Sequence, residues 1–214
     1  MIKNVTILDY GIGNLLSVSR AIQESGAKAN ISNDRRKIAE ADYLVLPGVG
    51  NFSVAIEELR KSGFEESILN HNLKERPLLG ICLGMQLFFD SSEEEGFHEG
   101  LGIISGAVRP IPTRNNNGAS HKIPHIGWAP LSLSLKEGNT SKSIISDQHN
   151  GQFFYFIHSY QGHVKKAEEC KAITKYNDLS ITAVIQKKNA IGCQFHPEKS
   201  GENGIKFLKT FLNY

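Results

Sequence analysis

The sequence predicts an α/β fold: a single domain on a largely parallel central sheet, with helices on both faces and further antiparallel strands. Three observations lead there. Through the first half of the chain, apolar runs too short for helices alternate with segments of helical spacing, the pattern of a parallel sheet. From Glu93 onward that alternation gives way to a series of short strands separated by turns. The 214 residues suffice for one sizeable domain, and neither a linker nor an internal repeat divides them.

Taken in order, Ile2 to Leu8 reads as the first strand and Asp9 to Asn14 as the loop after it. Leu15, Leu16, Val18 and Ile22 then recur at helical spacing, with Gly26 where a helix would stop. Ala27 to Ser32 suits a second strand, and Asp42 to Leu46 a third that runs into Pro47-Gly48-Val49-Gly50. Asn51 can cap a helix through Arg60, Phe64 to Leu73 reads as another, and Leu78-Leu79-Gly80-Ile81 is a buried strand. Glu93-Glu94-Glu95 reads as a solvated loop and not a site. Strands follow at Gly102 to Val108, Ile126 to Leu131, Gln152 to Ser159, Lys171 to Tyr176, Ser180 to Gln186 and Ala190 to Phe195. Between them Arg114 to Gly118 marks a flexible loop and Glu137 to Ser141 a turn, and Gly204 to Leu212 closes the chain as an amphipathic helix.

Bulk properties exclude several function classes. A net charge of +2 points to neither nucleic acid nor a membrane surface. Three cysteines, Cys82, Cys170 and Cys193, make no C-x-x-C pair and fit a reducing, cytoplasmic setting better than a disulfide framework. The amino terminus lacks the apolar centre of a signal peptide, and the longest apolar run, Leu78 to Phe89, is too short to span a bilayer. Gly11-Ile12-Gly13 follows a strand, yet the third glycine of a dinucleotide loop would fall at Leu16, and no Walker A sequence is present. His121 and His125 have i, i+4 spacing but Pro124 lies between them; His158 and His163 lie five apart. Neither pair has a third ligand, so neither a metal nor another cofactor is expected.

The chemistry gathers at Cys82. A strand, a side chain between Gly80 and Gly84, and a helix start make a nucleophile elbow, here as G-x-C-x-G. Small neighbours let the backbone bend sharply, and a helix amino end favours a thiolate. A nucleophilic cysteine needs a base and a group that orients the base. His196-Pro197-Glu198 offers both, since residues i and i+2 of an extended backbone share a side and Pro197 stiffens the pair. The order Cys, His, Glu differs from the nucleophile, acid, His order of α/β-hydrolases. Donors for a developing oxyanion are expected from the Leu83 N–H and from the Gly48-Val49-Gly50 loop, at the same sheet edge.

These residues resemble a known family. G-I-C-L-G-M-Q at Gly80 to Gln86 and Q-F-H-P-E-K-S at Gln194 to Ser200 resemble the class I (triad) glutamine amidotransferases, which have a flavodoxin-like sheet. D-Y-G-I-G-N-L-L-S-V at Asp9 to Val18, L-P-G-V-G at Leu46 to Gly50, P-H-I-G-W at Pro124 to Trp128 and F-Y-F-I-H-S-Y at Phe154 to Tyr160 look like the glutaminase subunits of imidazole glycerol phosphate synthases. The resemblance spans essentially the whole chain. It implies hydrolysis of L-glutamine to glutamate and ammonia, with Cys82 as nucleophile, His196 as acid and base, and Glu198 as its partner. It implies an oxyanion site at Val49 and Leu83, and glutamine held by Gly48, Gly50, Gln86, Ser159 and Tyr160. It also implies a HisF-type (β/α)8 cyclase partner that makes imidazole glycerol phosphate and AICAR in histidine biosynthesis, docked near Asn14, Trp128 and Lys199. Ala129-Pro130 and Gln161 depart from the subunit's usual pattern near that face. They leave open a partner of the sugar-amidating kind, which takes ammonia from similar subunits in some bacteria. A non-catalytic subunit of the same fold is the rival of another class, and the intact Cys82, His196 and Glu198 speak against it.

Overall fold

The computed structural model describes residues 2–134 and 143–214. Its first half runs β1 (Asn4–Leu8), α1 (Leu15–Glu24), β2 (Lys28–Ser32), α2 (Arg35–Ala39), β3 (Tyr43–Leu46), α3 (Phe52–Lys61), α4 (Phe64–Leu73), β4 (Leu78–Ile81) and a single-turn α5 (Leu83–Gln86). Then come β5 (Phe89–Ser92), β6 (His98–Glu99), β7 (Ile104–Pro110), β8 (His125–Leu133), β9 (Phe153–His158), β10 (Tyr160–Val164), β11 (Cys170–Tyr176), β12 (Leu179–Lys187), β13 (Ala190–Cys193) and α6 (Gly201–Leu212).

The central sheet has nine strands in the order β2-β1-β3-β4-β13-β12-β11-β8-β9. Its first five strands are parallel, in the 2-1-3-4-5 order of the flavodoxin-like arrangement with β13 as the fifth. The remaining neighbours pair antiparallel out to β9. A second sheet, β10-β7-β5-β6, lies beside it. The added strands of the second half thus occur both on the central sheet and next to it.

The inner parallel strands β1, β3, β4 and β13 are buried on both faces, so one strand feeds two cores, whereas the edge strand β2 is largely exposed. Val5, Ile7, Val45, Leu79 and Ile81 pack with Val18 and Ile22 of α1 and Phe207, Leu208 and Phe211 of α6. Leu8, Leu44, Leu46 and Leu78 pack the other way, with Phe52, Ile56 and Leu59 of α3, Ile68 of α4 and the second sheet. The starts of α1 and α3 are fixed by side-chain caps. Asn14 Oδ1 accepts from the Ser17 N–H at 3.4 Å, and Asn51 Oδ1 accepts from Ser53 and Val54 at 2.8 and 3.3 Å.

Several expectations need correction. Leu16 does not join the buried stripe of α1; it is 68% exposed. Helix α2, absent from the reading, has one buried apolar residue, Ile38, and is held by Asp34 Oδ1 accepting from Arg36 and Lys37. The helix after Cys82 lasts one turn, and Phe89 leaves it to open β5. The Arg114 to Gly118 loop is a pinned turn, with Arg114 donating to the Gly118 carbonyl at 2.9 Å and Asn115 Oδ1 accepting from Asn117 and Ala119. The turn expected at Glu137 to Ser141 lies outside the described residues.

Candidate active site

Cys82 sits between β4 and α5 at φ 53°, ψ −108°, a left-handed conformation that a non-glycine residue adopts only under constraint. The constraint is visible on both sides. The Cys82 N–H donates to the Cys193 carbonyl at 2.8 Å, and the Cys82 carbonyl accepts from Gln86 at 3.2 Å. A Cβ on Gly80 would stand 2.6 Å from the Gly84 carbonyl oxygen, and one on Gly84 would run into the Leu46 carbonyl. Both glycines of G-x-C-x-G are therefore packing requirements of the elbow. Leu83 opens the helical turn, so its N–H has no acceptor within α5.

His196 follows β13, where its N–H donates to the Tyr155 carbonyl at 2.9 Å. The Ser200 hydroxyl donates to the His196 carbonyl at 2.6 Å and accepts from the Tyr155 N–H at 3.0 Å, tying the segment to β9. An extended backbone would put His196 and Glu198 on one side. Instead, Pro197 begins a 3-10 turn over Pro197–Lys199, which folds the carboxylate back under the ring. His196 Nδ1 and Glu198 Oε1 are 2.8 Å apart, with both side chains almost wholly buried. The other ring nitrogen is left for Cys82, which lines the same cavity as the ring. Burial opposes a charged His196 ring, but the nearby Cys82 sulfur and the hydrogen bond and charge of Glu198 outweigh it and raise the ring to about 10.

A cavity of about 220 Å³ opens beside the sulfur. It is lined by Cys82, Leu83, Gln86 and His196, with Val49, Gly50 and Tyr160 on its rim, so the structure brings together residues expected from four separate motifs. Gly48 is not among its lining residues; an added Cβ there would come within about 3 Å of Leu83 and Tyr10. Ser159 does not line it; its carbonyl accepts from the Ile111 N–H. Gln86 is buried, and its Nε2 donates to the Tyr160 carbonyl at 3.1 Å and to Gln194 Oε1 at 3.0 Å.

Three lining residues, Glu94, Ile157 and His158, were not anticipated. Glu94 corrects the reading of the glutamate run as solvated. Its Oε2 accepts from the Phe52 N–H at the start of α3 at 2.8 Å, and burial raises its carboxyl against that bond. The signal lay in the run's distance from α3, which only the fold closes. His158 pairs with His125, Nε2 to Nδ1, at 3.1 Å, so each histidine's true partner came from the other pair considered for a metal. Among the described residues no group of three or more His, Cys, Asp or Glu is placed to hold a metal ion.

The residues expected at a docking face are exposed. Asn14 caps α1, Trp128 of β8 is 54% exposed, and Lys199 lies on the 3-10 turn with its Nζ 5.9 Å from the Tyr155 ring centroid. Trp128 meets the same Tyr155 edge-on at 6.1 Å. Ile126, Phe153 and Ile157 of β8 and β9 continue an apolar edge away from them.

Comparison with known proteins agrees with this geometry. Residues 6–213 match the family model described as glutamine amidotransferase class-I. The chain is 44% identical over 211 residues to the imidazole glycerol phosphate synthase subunit HisH 1 of Legionella pneumophila (strain Lens), covering 98% of this chain and 99% of that one. It is 45% identical over 207 residues to the HisH subunit of Caldanaerobacter subterraneus, covering 97% and 96% of the two chains. In fold it is similar to a chain of PurLQS from Thermotoga maritima, with a TM-score of 0.71 at 16% identity over 100% of this chain and 99% of that one.

Proposed function

The chain belongs to the class-I glutamine amidotransferases, and on that premise we propose that it is the glutaminase subunit of an imidazole glycerol phosphate synthase, feeding ammonia to a cyclase subunit. The observation that carries the chemistry is the Cys82, His196 and Glu198 constellation: His196 is hydrogen-bonded to Glu198, and Cys82 and His196 line one cavity of glutamine's scale. Residues 1–214 serve this one function as a single amidotransferase domain.

In this reading the Cys82 thiolate attacks the side-chain amide carbon of glutamine. The oxygen of the tetrahedral intermediate takes N–H donors from Leu83 and Val49, each typically worth about 10²–10³ in rate. The C–N bond then breaks as His196 gives its proton to the leaving nitrogen, releasing ammonia and a γ-glutamyl thioester. Water attacks the thioester, His196 takes its proton, and the thiolate leaves as glutamate departs. Glu198 keeps the ring oriented and favours its charged form through both half-reactions. Gly50, Gln86 and Tyr160 border the amino-acid end, and the half-buried Glu94 carboxylate supplies what an α-ammonium group requires.

The ammonia goes to a HisF-type (β/α)8 cyclase docked over the cavity mouth. An exposed apolar sheet edge of Ile126, Trp128, Phe153 and Ile157 supports such a partner, with Asn14 and Lys199 as polar contacts beside it. No described helix is long and apolar enough to cross a membrane, consistent with the cytoplasmic site we assign to this pathway. The test is growth of a histidine auxotroph lacking its own glutaminase subunit, on co-expression of this chain with a HisF barrel. Restored growth is expected. Failure despite soluble expression of both chains would overturn the histidine assignment and leave a sugar-amidating synthase as the acceptor.

A further inference from the structure

Building on the reading of Cys82 as nucleophile, we propose that Gln194 is a positioning residue for its sulfur, held as a hydrogen-bond donor by a chain whose direction one backbone carbonyl sets. The chain begins at the Tyr160 oxygen. A carbonyl only accepts, so both groups that reach it must donate: Gln86 through Nε2 at 3.1 Å and His158 through Nδ1 at 2.8 Å. Gln86 Nε2 also meets the Gln194 amide, at 3.0 Å. Gln194 must turn its oxygen to that nitrogen, and its own Nε2 then faces Cys82 Sγ at 3.6 Å. The opposite orientation would set two NH₂ groups against each other in a fully buried site.

The other arm of the chain is fixed by the same logic. With Nδ1 of His158 donating, Nε2 of the neutral ring accepts from His125 Nδ1 at 3.1 Å. Burial keeps both rings uncharged, His125 down to about 4 and His158 to about 3, so the direction does not reverse near neutral pH. His125 belongs to β8, next to the exposed Ile126 and three residues from Trp128, and it is stacked on Phe156 and Tyr176. The chain therefore runs from beneath the apolar edge to the sulfur.

A fixed N–H donor favours the sulfur anion over the thiol and, unlike an imidazole, does not titrate. The other groups facing Cys82 are His196 with Glu198 behind it, Tyr10 and Cys193 through charge interactions, and His158, Glu94 and Lys199 on the cavity wall. The Ile157 carbonyl, 3.9 Å from the sulfur, can only accept, and so favours the thiol. Gln194 is not among the cavity-lining residues, and the two groups it meets there are the Cys82 sulfur and the Gln86 amide.

The experiment is the pH dependence of Cys82 alkylation by iodoacetamide in the full chain, with Cys82→Ala giving the background from Cys170 and Cys193. Gln194→Met keeps the length of the side chain and removes the donor. The midpoint of the profile should move up by about one pH unit, as expected for losing a hydrogen bond to a charged group, while the rate at high pH stays at the wild-type value. A folded variant with the wild-type midpoint overturns the proposal. Should Gln194→Met fail to fold, Gln86→Leu releases Gln194 to rotate and should shift the midpoint in the same direction by less; no shift there overturns it equally. Protection of wild-type Cys82 by glutamine tests the wider reading separately, because its absence would count against a glutamine site whatever Gln194 does to the midpoint.

Discussion

The Glu198 carboxylate reaches His196 Nδ1 at 2.8 Å across only one intervening residue, because Pro197 turns the chain into a 3-10 bend between them. The contact is buried, so a carboxylate there acts on the imidazole with little screening by water. Glu198→Gln keeps the shape and removes the charge. Glutaminase kcat with the cyclase present should fall by about 10²–10³-fold with KM nearly unchanged, measured by steady-state glutamate release.

Glu94 faces the cavity while one of its oxygens is occupied by the Phe52 N–H. If the remaining oxygen receives the α-ammonium group of glutamine, Glu94→Gln should raise KM by about 10–100-fold and leave kcat nearly unchanged. Equal loss in both constants would place Glu94 in a different role.

Buried neutral histidines make the fold sensitive to acid. Their folded values lie below the ordinary 6.5, at about 3 for His158 and about 4 for His125, so the unfolded chain takes up protons first and stability falls as pH drops below 6.5. Between pH 7 and pH 5, His158 alone should account for a loss of about 2 kcal/mol, and His125 adds in the same direction. Urea unfolding at the two pH values checks this; His158→Asn, which cannot titrate, should lose about that much less over the same interval. His196 has the opposite sign: its raised value gives stability present below 6.5 and lost as pH climbs through about 10.

Two glycines separate packing from backbone freedom. A methyl on Gly84 meets the Leu46 carbonyl, whereas one on Gly26, at φ 95°, meets nothing within 4 Å. Gly84→Ala should cost about 3 kcal/mol in urea unfolding and disturb the elbow. Gly26→Ala should cost only the left-handed strain, about 1 kcal/mol.

Much of this arrangement was legible in the sequence where local pattern decides. The apolar Leu78–Ile81 run and the glycines on either side of Cys82 gave β4 and the elbow, and Asn51 gave the start of α3. What escaped depends on contacts between distant segments. β10 carries Gly162 under the Phe89 ring, and nothing in its polar sequence announces a strand. Glu94 lies in a run that usually stays in water, and its partner Phe52 is 42 positions away. Gln194 was visible only as part of a motif, because the amide that orients it, Gln86, is 108 positions distant.

The central claim is that the Cys82 sulfur, with its proton surrendered to His196, opens the glutamine amide. The most direct test is glutamate and ammonia release by Cys82→Ala in the presence of the HisF-type cyclase, with complex formation checked by sedimentation. Turnover should be lost to background while the variant folds and binds the cyclase as the wild type does. Turnover at the wild-type rate in that complex would contradict the account.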